Sequence, residues 1–205
     1  PLTLSYLPYA KNLANQTQSA RAKGHELLIH LPMEPRGAAD PGPGALMVNM
    51  DQTEIKKRLA RALYVFPGAV GVNNHMGSLF TADQRAMSIV LTEIKSSGQL
   101  FLDSLTTSNS LVAQLGDKLN VPVVSRDVFL DDIDKEDEIV RRLREVERVA
   151  LDKGTAIAIG HPRVTTLRVL EKWLANLAEK KIRLAPLSAV AKTRLNQMQN
   201  DGGLN

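Results

Sequence analysis

Seven short apolar runs, separated by longer amphipathic stretches, constrain this chain more than any other feature. The runs are Leu2–Leu7, Glu26–Leu31, Ala69–Asn73, Leu100–Asp103, Val121–Val124, Thr155–Gly160 and Ile182–Leu187. Helical patterns lie between and after them, near residues 10–23, 51–63, 82–97, 107–119, 134–153, 164–180 and 188–199. Over 134–153, Ile139, Leu143 and Val146 recur at the spacing of one buried helix face, beside Arg and Glu. Asp51 with Glu54, and Thr81 with Gln84, read as N-caps with their capping-box partners. Strands alternating with helices in this way are joined by crossovers, so they run parallel with helices covering the sheet. The pattern predicts an α/β fold, either a (β/α) barrel or a doubly wound sheet. It predicts one domain over residues 1–199 and a fraying tail at 200–205.

Composition narrows the functional classes. A length of 205 residues supports a real core, and 43% hydrophobic with 23% charged residues are globular values. No apolar run approaches the ~20 residues of a membrane span. With no cysteine, thiolate ligands are excluded, and any metal must use His, Asp or Glu. The net charge of +4 is spread over helical stretches such as Lys56-Lys57-Arg58, Arg141-Arg142 and Lys180-Lys181. Aromatics are only 4%, so base-stacking platforms are scarce, and the charges read as solvated faces with no nucleic-acid partner.

Three of the four histidines end apolar runs: His30, His75 and His161. In a parallel fold those ends share one rim, where ligands and catalytic groups gather. The simpler alternative is that each histidine merely bonds its own strand end. Polar residues accompany them: Met33-Glu34 after His30, Asn73-Asn74-His75-Met76-Gly77-Ser78, Asp103, and Arg126-Asp127. A buried carboxylate needs a cation or several donors, so Arg126 is expected to pair with Asp103 or Asp127. His, Asp and Glu together suit a divalent ion, zinc first. The long Pro- and Gly-rich stretch from Leu31 to Asn49 is expected to wall the site. The helical zinc-protease motif, Gly-rich phosphate loops and the nucleophile elbow are all absent.

Read together, several segments resemble one family. They are Gly24-His25-Glu26-Leu27-Leu28-Ile29-His30-Leu31-Pro32-Met33-Glu34-Pro35, Gly71-Val72-Asn73-Asn74-His75-Met76-Gly77-Ser78, Leu102-Asp103-Ser104, Arg126-Asp127-Val128-Phe129-Leu130-Asp131 and Ala156-Ile157-Ala158-Ile159-Gly160-His161-Pro162. In this order they resemble the divergent polysaccharide deacetylases of bacteria. That family is similar to metal-dependent carbohydrate esterases that remove N- or O-acetyl groups from chitin-like polymers and peptidoglycan. The resemblance implies a distorted (β/α) barrel of about seven strands, one divalent metal, zinc first, and a periplasmic location. It implies an acetylated polysaccharide as substrate. His30 falls at the first metal-histidine position, Glu34 stands four residues on where a second histidine is usual, and His75 is expected to supply the missing imidazole. His161 matches the general acid, with Asp103 and Asp127 as the expected catalytic carboxylates. Asn73, Asn74, Ser78, Arg126 and Met33 complete the expected substrate contacts. The family opens with a strand ending in an Asp-Asp pair, and this chain begins at what resembles the following strand. Two outcomes follow: a metal-dependent deacetylase, or a non-catalytic barrel that binds glycan or a partner in envelope maintenance.

Overall fold

The computed structural model describes the backbone of residues 1–202 and the side chains of residues 1–197. Its strands are β1 (Thr3–Tyr6), β2 (Glu26–Met33), β3 (Gly71–Met76), β4 (Leu100–Asp103), β5 (Val123–Ser125), β6 (Val128–Phe129) and β7 (Ala158–Ile159). Its helices are α1 (Leu13–Ala22), α2 (Gln52–Leu63), α3 (Gln84–Ser97), α4 (Val112–Leu119), α5 (Glu136–Lys153), α6 (Val164–Ala175) and α7 (Leu187–Gly202). The chain divides into two compact units, Pro1–Ser125 and the residues from Arg126 onward.

In the first unit, five parallel strands lie in the order β1-β2-β3-β4-β5. Each strand pairs with its sequence neighbour, as in a barrel wall; a doubly wound sheet would reverse order at a switch point. Leu27, Ile29, Leu31 and Met33 alternate onto one face of β2, where Val72, Phe101, Ile55, Leu59, Met87 and Leu91 join them in the core. Leu28 and Pro32 on the other face are also buried, which explains the nearly continuous apolar reading of this strand. Because all five strands are parallel, their C-terminal ends form one rim.

Caps and loops set that rim. Asp51 caps α2 as expected, accepting the Glu54 N–H at 2.8 Å. For α3 the expectation is corrected: the cap is Asp83, which accepts the Ala86 N–H at 2.7 Å. Thr81 lies in a short 3-10 turn and donates its hydroxyl to the Gly77 carbonyl, whereas Asp83 has the extended backbone a cap requires. The stretch after β2 returns to the strand. Leu46 N–H donates to the Pro32 carbonyl and Glu34 N–H to the Leu46 carbonyl, both at 2.9 Å. Gly42 has φ +91° and lies so close to Tyr9 that a Cβ would overlap the phenol hydroxyl.

In the second unit, β6 and β7 pair in parallel, with Val128 opposite Ala158 and Phe129 opposite Ile159. Val128, Leu130, Ile139, Leu143, Val146 and Val169 form its core. The expected strand at Ile182–Leu187 is not present. Lys181 adopts a left-handed φ of 57°, Leu184 is exposed, and Pro186 has no N–H to give to a ladder. Of the expected tail, residues 200–202 continue α7, and residues 203–205 lie outside the described residues.

Candidate functional site

The first unit gathers its polar residues through strand register. His30 pairs with Asn73, and Pro32 with His75, so His30, Asn73 and His75 take the same side of the sheet. Asn73 pairs with Leu102, which puts Ser104, two residues on, at the same parity. The side chains meet accordingly. His30 Nδ1 lies 3.1 Å from Asn73 Oδ1, and His30 Nε2 lies 3.1 Å from His75 Nδ1. The two rings meet edge to face with centroids 4.8 Å apart.

Buried amides build the support beneath them. Asn73 and Asn74 are 2% and 1% exposed. Asn73 Nδ2 donates to Ser104 Oγ at 3.2 Å, and Ser104 Oγ donates to the Asn74 carbonyl at 2.8 Å. Asn74 Oδ1 accepts the Ser104 N–H at 2.8 Å, and its Nδ2 donates to the Met76 carbonyl at 2.7 Å. Met76 has φ 54°, a left-handed conformation costly for a side-chain-bearing residue, so Asn74 stabilises the turn directly after His75. Gly77 follows with φ +90°; a Cβ there would stand 2.9 Å from that of Met33.

Several expected site residues make contacts within the fold. Met33 is fully buried in the core, so its expected substrate contact is corrected. Asp103 sits at the parity of Asn74, opposite to that of His30 and His75, because Leu102 and not Asp103 pairs with Asn73. Its oxygens accept the Leu105 N–H at 2.8 Å and the Ser110 hydroxyl at 2.6 Å, which holds Leu105 at φ 47°. Glu34 Oε2 accepts the Val48 N–H at 2.6 Å and fastens the loop after β2. Ser78 Oγ accepts the Arg36 N–H at 2.8 Å.

The second unit carries a dyad. Asp131 and His161 each stand two residues beyond the paired Phe129 and Ile159, hence at one level. Asp131 Oδ2 accepts the His161 N–H at 2.7 Å and the Thr166 hydroxyl at 2.8 Å, while Oδ1 lies 3.0 Å from His161 Nδ1. Burial opposes ionisation of Asp131. The hydrogen bonds from His161 and Thr166 and the His161 charge outweigh it, holding the carboxyl below its usual value. An ionised carboxylate only accepts, so the His161 Nδ1 that faces it carries a proton, and the neutral form of the ring has its lone pair on Nε2. The Asp131 side chain is 0% exposed and that of His161 47%, which suits an oriented imidazole available for proton transfer. Phe129 packs 5.6 Å from the His161 ring, and Arg126 lies 5.0 Å over Phe129.

Asp127 is placed differently from its expected catalytic role. It precedes β6, at the opposite end of the strand pair from His161, and accepts the Ile157 N–H at 2.7 Å and a guanidinium N–H of Arg194. Asp131 stands four positions further on, roughly 13 Å along extended chain. The residues missed in the sequence are Asp131 and Thr166. The signal for Asp131 was its place directly after Val128-Phe129-Leu130, as His161 follows Ile157–Gly160.

Two ligands of one tetrahedral zinc ion stand roughly 3.3 Å apart, given Zn–N bonds of ~2.0–2.1 Å. The 3.1 Å contact of His30 Nε2 with His75 Nδ1 is a hydrogen bond between the rings, and its length is close to the spacing of two such positions. Among the described residues, no group of three or more His, Asp or Glu is gathered. No helix among them is long and apolar enough to cross a membrane.

The family model for divergent polysaccharide deacetylase matches residues 1–191. The chain is 34% identical over 178 residues to an uncharacterized protein of Haemophilus influenzae, covering 87% of this chain and 64% of that one. It is 35% identical over 176 residues to the uncharacterized protein YibQ of Escherichia coli K12, covering 86% and 55%. The chain thus spans between about half and two thirds of the length of these relatives. The crystal structure of an uncharacterized protein from Agrobacterium tumefaciens C58 matches with a TM-score of 0.90 at 30% identity, over 92% of this chain and 77% of that one.

Proposed function

The chain belongs to the divergent polysaccharide deacetylase family, and from that premise we propose that it removes acetyl groups from a periplasmic envelope polysaccharide, peptidoglycan- or chitin-like, with the help of a divalent ion, zinc first. The observation that carries the reading is the pair of imidazole nitrogens, His30 Nε2 and His75 Nδ1, held 3.1 Å apart at the rim of the parallel sheet. They are the two residues that would hold the ion. When bound, such an ion polarises a carbonyl and lowers the pKa of water.

His161 supplies the proton chemistry in this reading. Within the second unit, Asp131 orients the ring so that its Nε2 can take up a proton and pass it to a leaving nitrogen or oxygen. Asp131 stabilises the imidazolium between the two steps, as carboxylates do for catalytic imidazoles elsewhere.

A second reading is a glycan-binding relative without catalysis. It is favoured by Glu34 and Asp103, whose carboxylates accept hydrogen bonds from neighbouring N–H and O–H groups of the fold. Acetate release from peptidoglycan and from chitin oligomers, with zinc supplied, separates the two. Release that stops on chelation supports the deacetylase. Glycan binding without release selects the second reading, and neither release nor binding contradicts both.

A further inference from the structure

We propose that Asn73 and Ser104 are positioning residues that fix the proton of His30 on Nδ1 and commit Nε2 as the atom offered to a cation. The inference deepens the deacetylase reading, on which the role of the cation rests. The hydrogen-bond chain starts from an atom that cannot donate. The Asn74 carbonyl lies 2.8 Å from Ser104 Oγ, so the hydroxyl proton points to it. Ser104 Oγ then accepts from Asn73 Nδ2, 3.2 Å away. That fixes the amide the other way round at its far end: Asn73 Oδ1 faces His30 Nδ1 at 3.1 Å. An amide oxygen only accepts, so His30 Nδ1 bears the proton and Nε2 the lone pair. That lone pair faces His75 Nδ1 at 3.1 Å.

Burial makes the arrangement unambiguous. Asn73 is 2% exposed and Ser104 is 9% exposed, so a reversed amide would set Asn73 Oδ1 against Ser104 Oγ, whose proton already goes to the Asn74 carbonyl, leaving two buried acceptors face to face with little water to separate them. Ser104 is itself fixed, because its N–H donates to Asn74 Oδ1 at 2.8 Å. Hydrogen-bonded partners behind a metal-site histidine commonly orient the ring in this way, and losing them weakens metal binding by ~10–100-fold.

The test is long-range nitrogen–proton NMR correlation of the imidazole rings in the intact, metal-free chain, followed by titration with Co²⁺. The expected result is a single His30 tautomer, protonated at Nδ1. Asn73→Asp keeps it, since a carboxylate also accepts. Asn73→Ala and Ser104→Ala lose the single tautomer, and Asn73→Ala binds Co²⁺ ~10–100-fold more weakly. A His30 ring protonated at Nε2 in the unsubstituted chain overturns the inference, even if no variant folds. So does one unchanged tautomer in both alanine variants. If the tautomer is as expected and Co²⁺ does not bind, the positioning inference is upheld and the metal-dependent reading fails.

Discussion

Asp131 is buried and ionised at once, and the three hydrogen bonds it accepts are what reconcile the two. If His161 transfers the proton, His161→Ala lowers acetate turnover ~10²–10⁴-fold while leaving bound zinc unchanged. Asp131→Asn lowers it as well, because an amide no longer requires a proton on Nδ1. Steady-state kinetics with metal analysis checks both, and full turnover in either variant removes the dyad from the chemistry. The same carboxylate links stability to acidity. Its carboxyl is held below the usual 3.8 in the folded chain. The stabilisation is therefore complete above that value and fades as pH falls through the folded one. Denaturation midpoints measured from about pH 5 down to pH 2 should drop in the parent chain. Asp131→Asn should flatten part of that drop; an identical profile would contradict the linkage.

At the scale of elements, Asp127 and Arg194 tie α7 to the loop that opens β6, with side chains 13% and 20% exposed. Arg194→Ala removes the nearer of two cations at Asp127, leaving Lys153 Nζ 4.0 Å away, and should cost about 1–3 kcal/mol, read as a lower Tm, with zinc content unaltered. A loss of zinc at unchanged Tm would instead return Asp127 to the site. These assignments mark where the sequence was legible. The strands β2, β3 and β4 stood out as short apolar runs, and the helices α2 and α5 because each buries a periodic face. Ile182–Leu187 misled for the opposite reason: its apolar residues surround Arg183 and end at Pro186, and composition alone does not show a missing ladder partner. The clustering of His30 with His75 followed from two neighbouring parallel strands that carry histidine toward their C-terminal ends. Asp103 could not be placed, because its face depends on a register that pairs Asn73 with Leu102. Asp127 was preferred to Asp131 for a related reason. Only the pairing of β6 with β7 shows which aspartate stands level with His161.

At the scale of the whole chain, family membership, neighbouring parallel strands that carry histidine toward their C-terminal ends, and two imidazole nitrogens 3.1 Å apart lead to one proposal, that His30 and His75 hold a divalent ion. The most direct measurement is the zinc content of the purified chain after zinc supplementation and dialysis, compared with His75→Ala and His161→Ala. The account predicts about one equivalent in the parent, retention in His161→Ala and loss in His75→Ala, since Zn–N bonds of ~2.0–2.1 Å admit no distant substitute. A parent chain without zinc, or stoichiometric zinc that survives His75→Ala, would contradict it.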